Sequence, residues 1–230
     1  MQTARSLPLV AFCFACLVSQ SAAEELSGRV VVTKQMTRKR VTLPVYQLRG
    51  VSSAVPPNDS APINEYENIV VFIEGNPSKT NEAIQAELQQ RNQRFEPQLL
   101  VVPVGSTVSF PNTDPIFHNV FSLSGAKKFD LGYYPAGQTR LVTFNESGVV
   151  QVYCHLHPNM YAAIVVVPNQ WYARPAEDGT FSLGDIPPGK YDVVAWHMTA
   201  GLFRTSVSVA AGRGAHLVLN IPVHDDAGRH

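Results

Sequence analysis

The residues most able to do chemistry lie in one stretch, Val152-Tyr153-Cys154-His155-Leu156-His157-Pro158-Asn159-Met160. Cys154, His157 and Met160 are spaced by three, so a thiolate, an imidazole and a thioether on one short loop can converge on one ion. Soft sulfur combined with imidazole suits copper better than magnesium or calcium. A second imidazole has to come from elsewhere, and Asp114-Pro115-Ile116-Phe117-His118-Asn119-Val120 offers His118 at the start of a predicted strand. Two His, one Cys and a weak axial Met make up an electron-transfer copper set. Zinc is the rival metal, but Met is a poor zinc ligand and the paired cysteines of structural zinc are missing. Singly, each residue has a plainer use: His118 as a strand-end polar group, Cys154 as a small buried apolar side chain, Met160 as core packing. Their order and their flanking strands favour the metal.

Such donors need rigid elements to hold them. The chain has 230 residues, 45% hydrophobic and 16% charged, enough for a core and for one large or two small domains. Seventeen prolines and fifteen glycines between Val-rich runs favour β-structure with many turns. Predicted strands cover Arg29–Thr33, Val41–Tyr46, Asn68–Ile73, Leu99–Val104, Thr107–Pro111 and His118–Ser122. Others cover Thr139–Phe144, Gly148–Cys154, Ala162–Val167, Thr180–Leu183, Tyr191–Trp196, Phe203–Val209 and Ala215–Ile221. Arg38-Lys39-Arg40 reads as a solvated turn and Ser52 to Pro62 as a loop. Thr80 to Phe95 is open between helix and strand, because Ala83, Ile84, Glu87 and Leu88 have helical spacing. Lys plus Arg equals Asp plus Glu, 18 each, which argues against a nucleic-acid binder.

Residues 1–23 read as a secretory signal peptide, with Arg5, the apolar run Leu7 to Val18 and the small residues Ser21-Ala22-Ala23. That run is short for a membrane span, and no other segment reaches its length. The expectation is a periplasmic or secreted protein with no membrane span after cleavage. Cys13 and Cys16 would leave with the signal, so Cys154 would remain as a lone thiol to be buried, paired with a partner or held by a metal.

The separations in Cys154-x-x-His157-x-x-Met160, with His118 upstream, resemble the cupredoxin family, the amicyanin type most closely by loop length. Phe95-x-Pro97 and Val104-Gly105-Ser106-Thr107-Val108-x-Phe110-x-Asn112 resemble the strand-turn-strand before the first His of plastocyanin-like domains. Phe129-Asp130-Leu131-Gly132 and Pro135-Ala136-Gly137 fit as well. The resemblance covers roughly Ala86 to Val167 and extends to exported cupredoxin-domain proteins labelled methylamine utilisation proteins. It implies an all-β, Greek-key sandwich holding one type-1 copper on His118, Cys154, His157 and Met160. It also implies that Asn119 ties the two ligand loops together, that His155 stays outside the ligand set, and that His157 shows a ring edge to solvent. Pro158 restricts His157 and stiffens the loop.

Glu177-Asp178-Gly179-Thr180-Phe181-Ser182-Leu183 and Ile186-Pro187-Pro188-Gly189-Lys190-Tyr191 resemble the later half of carboxypeptidase regulatory-like, transthyretin-like β-sandwich modules. Gly28-Arg29-Val30 and Ile69–Ile73 resemble the earlier half. The expectation is a discontinuous second module from residues 24–75 and 169–223, with the copper domain, 76–168, inserted between and a frayed tail at 224–230. The alternative is that the first strands extend the cupredoxin sheet. His197 reads as a core or edge histidine, and His224 and His230 as tail residues. No nucleophile–base pair or carboxylate dyad is legible, so the expected function is a non-enzymatic electron carrier serving redox protein partners. Pro115, Phe117, Leu156 and Pro158 are expected to form its apolar docking surface. Copper handling, or a binding module with structural copper, are the alternatives; with only 4 Met in the chain, no Met-rich metal-scavenging string supports the first.

Overall fold

The computed structural model describes residues 24–33, 64–75 and 82–222. The expected signal peptide, the strand Val41–Tyr46 with its basic turn, the loop 52–62 and the tail 224–230 lie outside the described residues. The strands are β1 (Glu24–Val32), β2 (Ile69–Ile73), β3 (Gln85–Glu87), β4 (Gln89–Arg91), β5 (Arg94–Glu96) and β6 (Leu99–Pro103). There follow β7 (Thr107–Pro111), β8 (His118–Ser124), β9 (Lys127–Tyr134), β10 (Thr139–Thr143), β11 (Gly148–Tyr153) and β12 (Tyr161–Val167). The last are β13 (Tyr172–Ala173), β14 (Thr180–Ile186), β15 (Gly189–His197), β16 (Gly201–Val209) and β17 (Ala215–Ile221). A single 3-10 turn, Glu65–Asn68, is the only helical element among the described residues.

Four main sheets form two sandwiches. In the first, β10-β7-β3 faces β6-β12-β11-β8-β9 across a core that includes Phe95, Phe110, Phe144, Val152 and Ile164. In the second, β13-β2-β15-β16 faces β14-β1-β17 across Leu26, Ile69, Val71, Trp171 and Ile186. A third buried cluster, Val70, Leu99, Ala163, Val165, Val167 and Trp196, joins the outer faces of the two sandwiches. This layering explains two unbroken apolar runs. Successive strand side chains point to opposite faces. Ile69, Val71 and Ile73 therefore fill the second core while Val70 enters the joining cluster. On β12, Ala162, Ile164 and Val166 fill the first core while Ala163, Val165 and Val167 meet the other sandwich. A strand buried on both faces loses the apolar–polar alternation of a half-exposed one.

β1 pairs with β14 and β17, and β2 pairs with β13 and β15 in the register Val71↔Ala195. The strands before residue 75 thus pair with strands after residue 171. Asn169, fully buried, clasps the crossing point: its Nδ2 donates to the Ile73 carbonyl at 2.6 Å, and its Oδ1 accepts the Trp171 amide at 3.0 Å. Gly28 permits the close approach of β17, because a Cβ there would collide with the Leu217 carbonyl and the Phe181 ring.

The open segment 80–95 is strand where described, as β3, β4 and β5. Its helical stripe would set Ala83 and Ile84 inward, yet both are exposed, whereas Leu88 and Gln90 are buried with strand spacing. Pairing of β3 with β7 overrides local helical propensity. β9 and β13 were not among the predicted strands. β9 is amphipathic, with Phe129 and Leu131 packed on the core and Lys128 and Asp130 exposed.

His197 is a fully buried core residue of the second sandwich. Its Nδ1 accepts the amides of Thr199 and Ala200 at 3.1 and 3.0 Å, which places the ring proton on Nε2, 3.2 Å from Glu65 Oε2. Burial pushes its pKa below the usual 6.5, against the pull of the Glu65 carboxylate. A second proton would have to enter at Nδ1, facing two donors. Because the unfolded state binds that proton more readily, stability is full above about pH 6.5 and is lost as pH falls below it. Thermal unfolding midpoints should therefore drop between about pH 7 and pH 5. His197→Asn, which keeps an acceptor for the two amides, should flatten that slope, and parallel slopes would refute the assignment.

Candidate metal centre

β8 begins at His118 and β11 ends at Tyr153, and the two strands pair through Tyr153↔Phe121. This brings the loop 154–160 beside the loop before β8. The former is closed by its own backbone: the Cys154 amide donates to the Met160 carbonyl at 3.3 Å, and the Met160 amide to the His157 carbonyl at 2.9 Å.

Three donor atoms converge here. His118 Nδ1 and His157 Nδ1 are 3.1 Å apart, and Cys154 Sγ lies 3.9 and 3.8 Å from them. Metal bonds to imidazole and thiolate run to about 2.0 and 2.3 Å, so each separation is shorter than two such bonds end to end. One ion can therefore touch all three. His118 and Cys154 are buried and His157 is half-buried. Two imidazoles and a thiolate in a trigonal set suit copper, so the donors present fit that metal.

The tautomer of His118 is held from behind. Asp114 Oδ2 sits 2.7 Å from His118 Nε2, which keeps the ring proton there and turns the Nδ1 lone pair toward Cys154 and His157. The same carboxylate accepts the amides of Asn92 and Gln93 at 2.6 and 2.8 Å, at the tip of the β4–β5 hairpin. Both tip residues have positive φ, 53° and 56°, as the tight hairpin turn requires. Burial opposes the Asp114 charge, but the Gln93, His118 and Asn92 hydrogen bonds outweigh it and hold the pKa below the usual carboxylate value. Asn112 steadies the loop, accepting the Asp114 amide and donating to the Ile116 and Tyr134 carbonyls. Neither Asp114 nor Asn112 was singled out as a site residue in the sequence. The available signal was a carboxylate four residues before a candidate ligand, and it is weak without the hairpin contact.

Cys154 is primed as a thiolate. Burial alone would push its pKa up, but contacts with His118, the Asn119 amide, His157 and the Leu156 amide pull it down to about 6. Burial likewise opposes protonation of His118, and the sulfur and Asp114 together raise its pKa.

Met160 is fully buried in the same core cluster as Cys154 and Val152. The Asn119 link to the ligand loop runs through its main-chain amide; its side-chain Nδ2 instead donates to Asp130 Oδ1 on β9 at 2.7 Å. Pro158 is exposed, directly after His157. His155 stands outside the converging donors. Its ring stacks on Phe121 with centroids 3.8 Å apart, and its Nε2 is 3.9 Å from Asp130 Oδ2. On the two loops that carry His118 and half-buried His157, Pro115, Ile116, Phe117, Leu156 and Pro158 are all exposed, Phe117 at 55% and Leu156 at 48%.

Residues 82–167 match the family of copper binding proteins of the plastocyanin/azurin type. Among solved structures, a purple cupredoxin from Nitrosopumilus maritimus is 28% identical, with 35% of this chain and 98% of that one covered and a TM-score of 0.33. A reduced variant of amicyanin is 25% identical over 42% of this chain and 97% of that one, with a TM-score of 0.34. A copper-containing nitrite reductase from Thermus scotoductus is 26% identical over 41% of this chain and 25% of its own length, with a TM-score of 0.35. No curated protein matches.

Proposed function

We propose that this chain is an exported electron carrier whose copper domain exchanges single electrons with redox protein partners. The observation that carries the reading is the pre-set donor triangle of His118, Cys154 and His157, held by Asp114 and by two amides on the sulfur. Copper, when bound, supplies one-electron redox chemistry. The work of the chain is to keep the donors from rearranging between the two oxidation states, so that little structural change accompanies electron exchange. Cys154 would supply the thiolate, His118 is anchored through Asp114, and His157 sits where the ligand loop meets solvent. Met160 would be the fourth and weakest donor, since it closes the same loop and is buried in the same core cluster as Cys154.

The strand pairing supports a division into a copper domain at 76–168 and a discontinuous transthyretin-like module from 24–75 and 169–223. The signal-like leader supports a periplasmic or secreted location.

The apolar ring around His157 is the proposed route for electrons. Exposed apolar residues clustered around one polar edge mark docking sites, and small apolar contacts suit complexes that must release quickly. Leu156→Glu should slow exchange with a redox protein by about tenfold, the equivalent of about 1.4 kcal/mol, while leaving the visible spectrum and copper content unchanged. Stopped-flow mixing with its partner, or self-exchange measured by NMR, reads this directly. Exchange at the wild-type rate in a folded, coloured variant would move the exit elsewhere.

A further inference from the structure

We infer that the copper end docks partners that set carboxylates around an apolar centre, an inference that rests on the electron-carrier reading and names the partner's chemistry. The whole chain carries balanced charge, 18 against 18, and the copper end does not share that balance. Its loops are residues 91–94, 111–117, 135–140 and 154–160. Within them the one carboxylate is Asp114, which is buried and engaged by His118 and two backbone amides.

Two exposed cations border the apolar ring. Arg91 sits at the base of the hairpin tip that Asp114 fastens to the ligand loop, with the Thr113 amide donating to the adjacent Gln90 carbonyl. Arg140 is exposed on β10, its guanidinium 5.3 Å from the ring centre of Tyr134, and Tyr134 pairs directly with His118. The main chain of its hairpin places Arg91 beside the loop that carries a metal donor, and Arg140 is placed there by its ring contact and a 3.1 Å hydrogen bond to Gln138 Oε1. Two exposed carboxylates lie further down the strands: Glu96 at the far end of β5, and Asp130 on β9, which accepts from Asn119 Nδ2 and the Gly132 amide and has His155 Nε2 3.9 Å from its Oδ2. The result is an apolar centre with a fixed positive border, complementary to an apolar centre with a negative one. Such complementarity speeds encounter and orients it, and it weakens as salt rises.

The test uses the full chain, isotope-labelled and in its reduced, diamagnetic Cu(I) form, titrated with hexacyanochromate(III), a redox-inert paramagnetic trianion. Amides of Asn92, Gln93, Thr139 and Arg140 should broaden first. Arg91→Glu combined with Arg140→Gln should weaken the broadening by about threefold or more at low salt, as expected for loss of local steering charge. Arg91→Glu alone, which leaves the Arg140–Tyr134 contact in place, gives the same direction if the double variant folds poorly. Repeating the titration on metal-free protein separates this result from whether copper is bound. In the kinetic arm, one electron leaves the Cu(I) protein and reduces hexacyanoferrate(III) to hexacyanoferrate(II), with no proton moved. Its rate should fall as salt rises from about 0.01 M to about 1 M, where the screening length shrinks from about 30 to about 3 Å. The rate with the trication tris(phenanthroline)cobalt(III) should rise instead. Broadening centred elsewhere, such as at Lys127 and Lys128, or insensitive to Arg91→Glu, would overturn the inference. Border-centred broadening with neither oxidant taking an electron would overturn the carrier reading and the partner assigned with it.

Discussion

Cys154→Ser should abolish the intense visible absorption of the copper-loaded protein and weaken copper retention, while leaving the β-sandwich folded. The sulfur is the only thiolate among the described residues, and it is the soft donor that favours copper in this set. Its replacement leaves two imidazoles and a hydroxyl, a harder set with no low-energy thiolate-to-copper charge transfer. The surrounding structure has little reason to change, because Cys154 adds one small side chain to a core dominated by Phe95, Phe110, Phe144 and Ile164. Met160→Leu should behave differently. It keeps the volume of the loop core and the three strong donors, so copper and colour remain and the potential moves. Titration of both variants with copper, followed by absorption spectra, distinguishes the roles. Equal copper loss in both would argue that Met160 bears as much of the binding as Cys154.

Trp196→Ala should be the most destabilising single change outside the metal centre, by about 3–5 kcal/mol. Trp196 is 6% exposed and fills the cluster between the two sandwiches with Val70, Leu99, Val165 and Val167. Truncation would leave a cavity walled by two sheets, and neither can collapse into it without losing its own core register. The thermal midpoint should fall by on the order of 10 °C. The spectrum of the folded, copper-loaded variant should stay unchanged, because the cluster packs on the sheet face away from the donors. An unchanged midpoint would show that the sandwiches do not depend on one another.

His118, Cys154 and His157, whose donor atoms the structure brings together, could be grouped with Met160 from residue type and order alone, because the combination of soft and imidazole donors on strand-flanked loops has few other uses. The strands that carry them were legible for the same local reason, since Val-rich runs with turn residues between them leave little choice of period. The role of Asp114 was not legible. It depends on a hairpin tip twenty-odd residues earlier in the chain, formed by Asn92 and Gln93, whose amides converge on the same carboxylate only after β4 and β5 pair. The segment before β4 was ambiguous because a helical stripe and a strand alternation share Leu88, and long-range pairing with β7 decides between them. The apolar runs of β2 and β12 announced burial without saying what would cover each face. One face of each strand is covered by the other sandwich, a contact between residues nearly a hundred positions apart. The positive border was hidden for the opposite reason: counts of charge carry no position, and Arg91 and Arg140 reach the copper end only through the loops they flank.

The most direct test of the central claim is a spectroelectrochemical titration of the protein loaded with one copper per chain. The account predicts an intense visible band that disappears on addition of one electron and returns on its removal, through repeated cycles, with copper content unchanged. A colourless copper complex, or copper released on reduction, would contradict it.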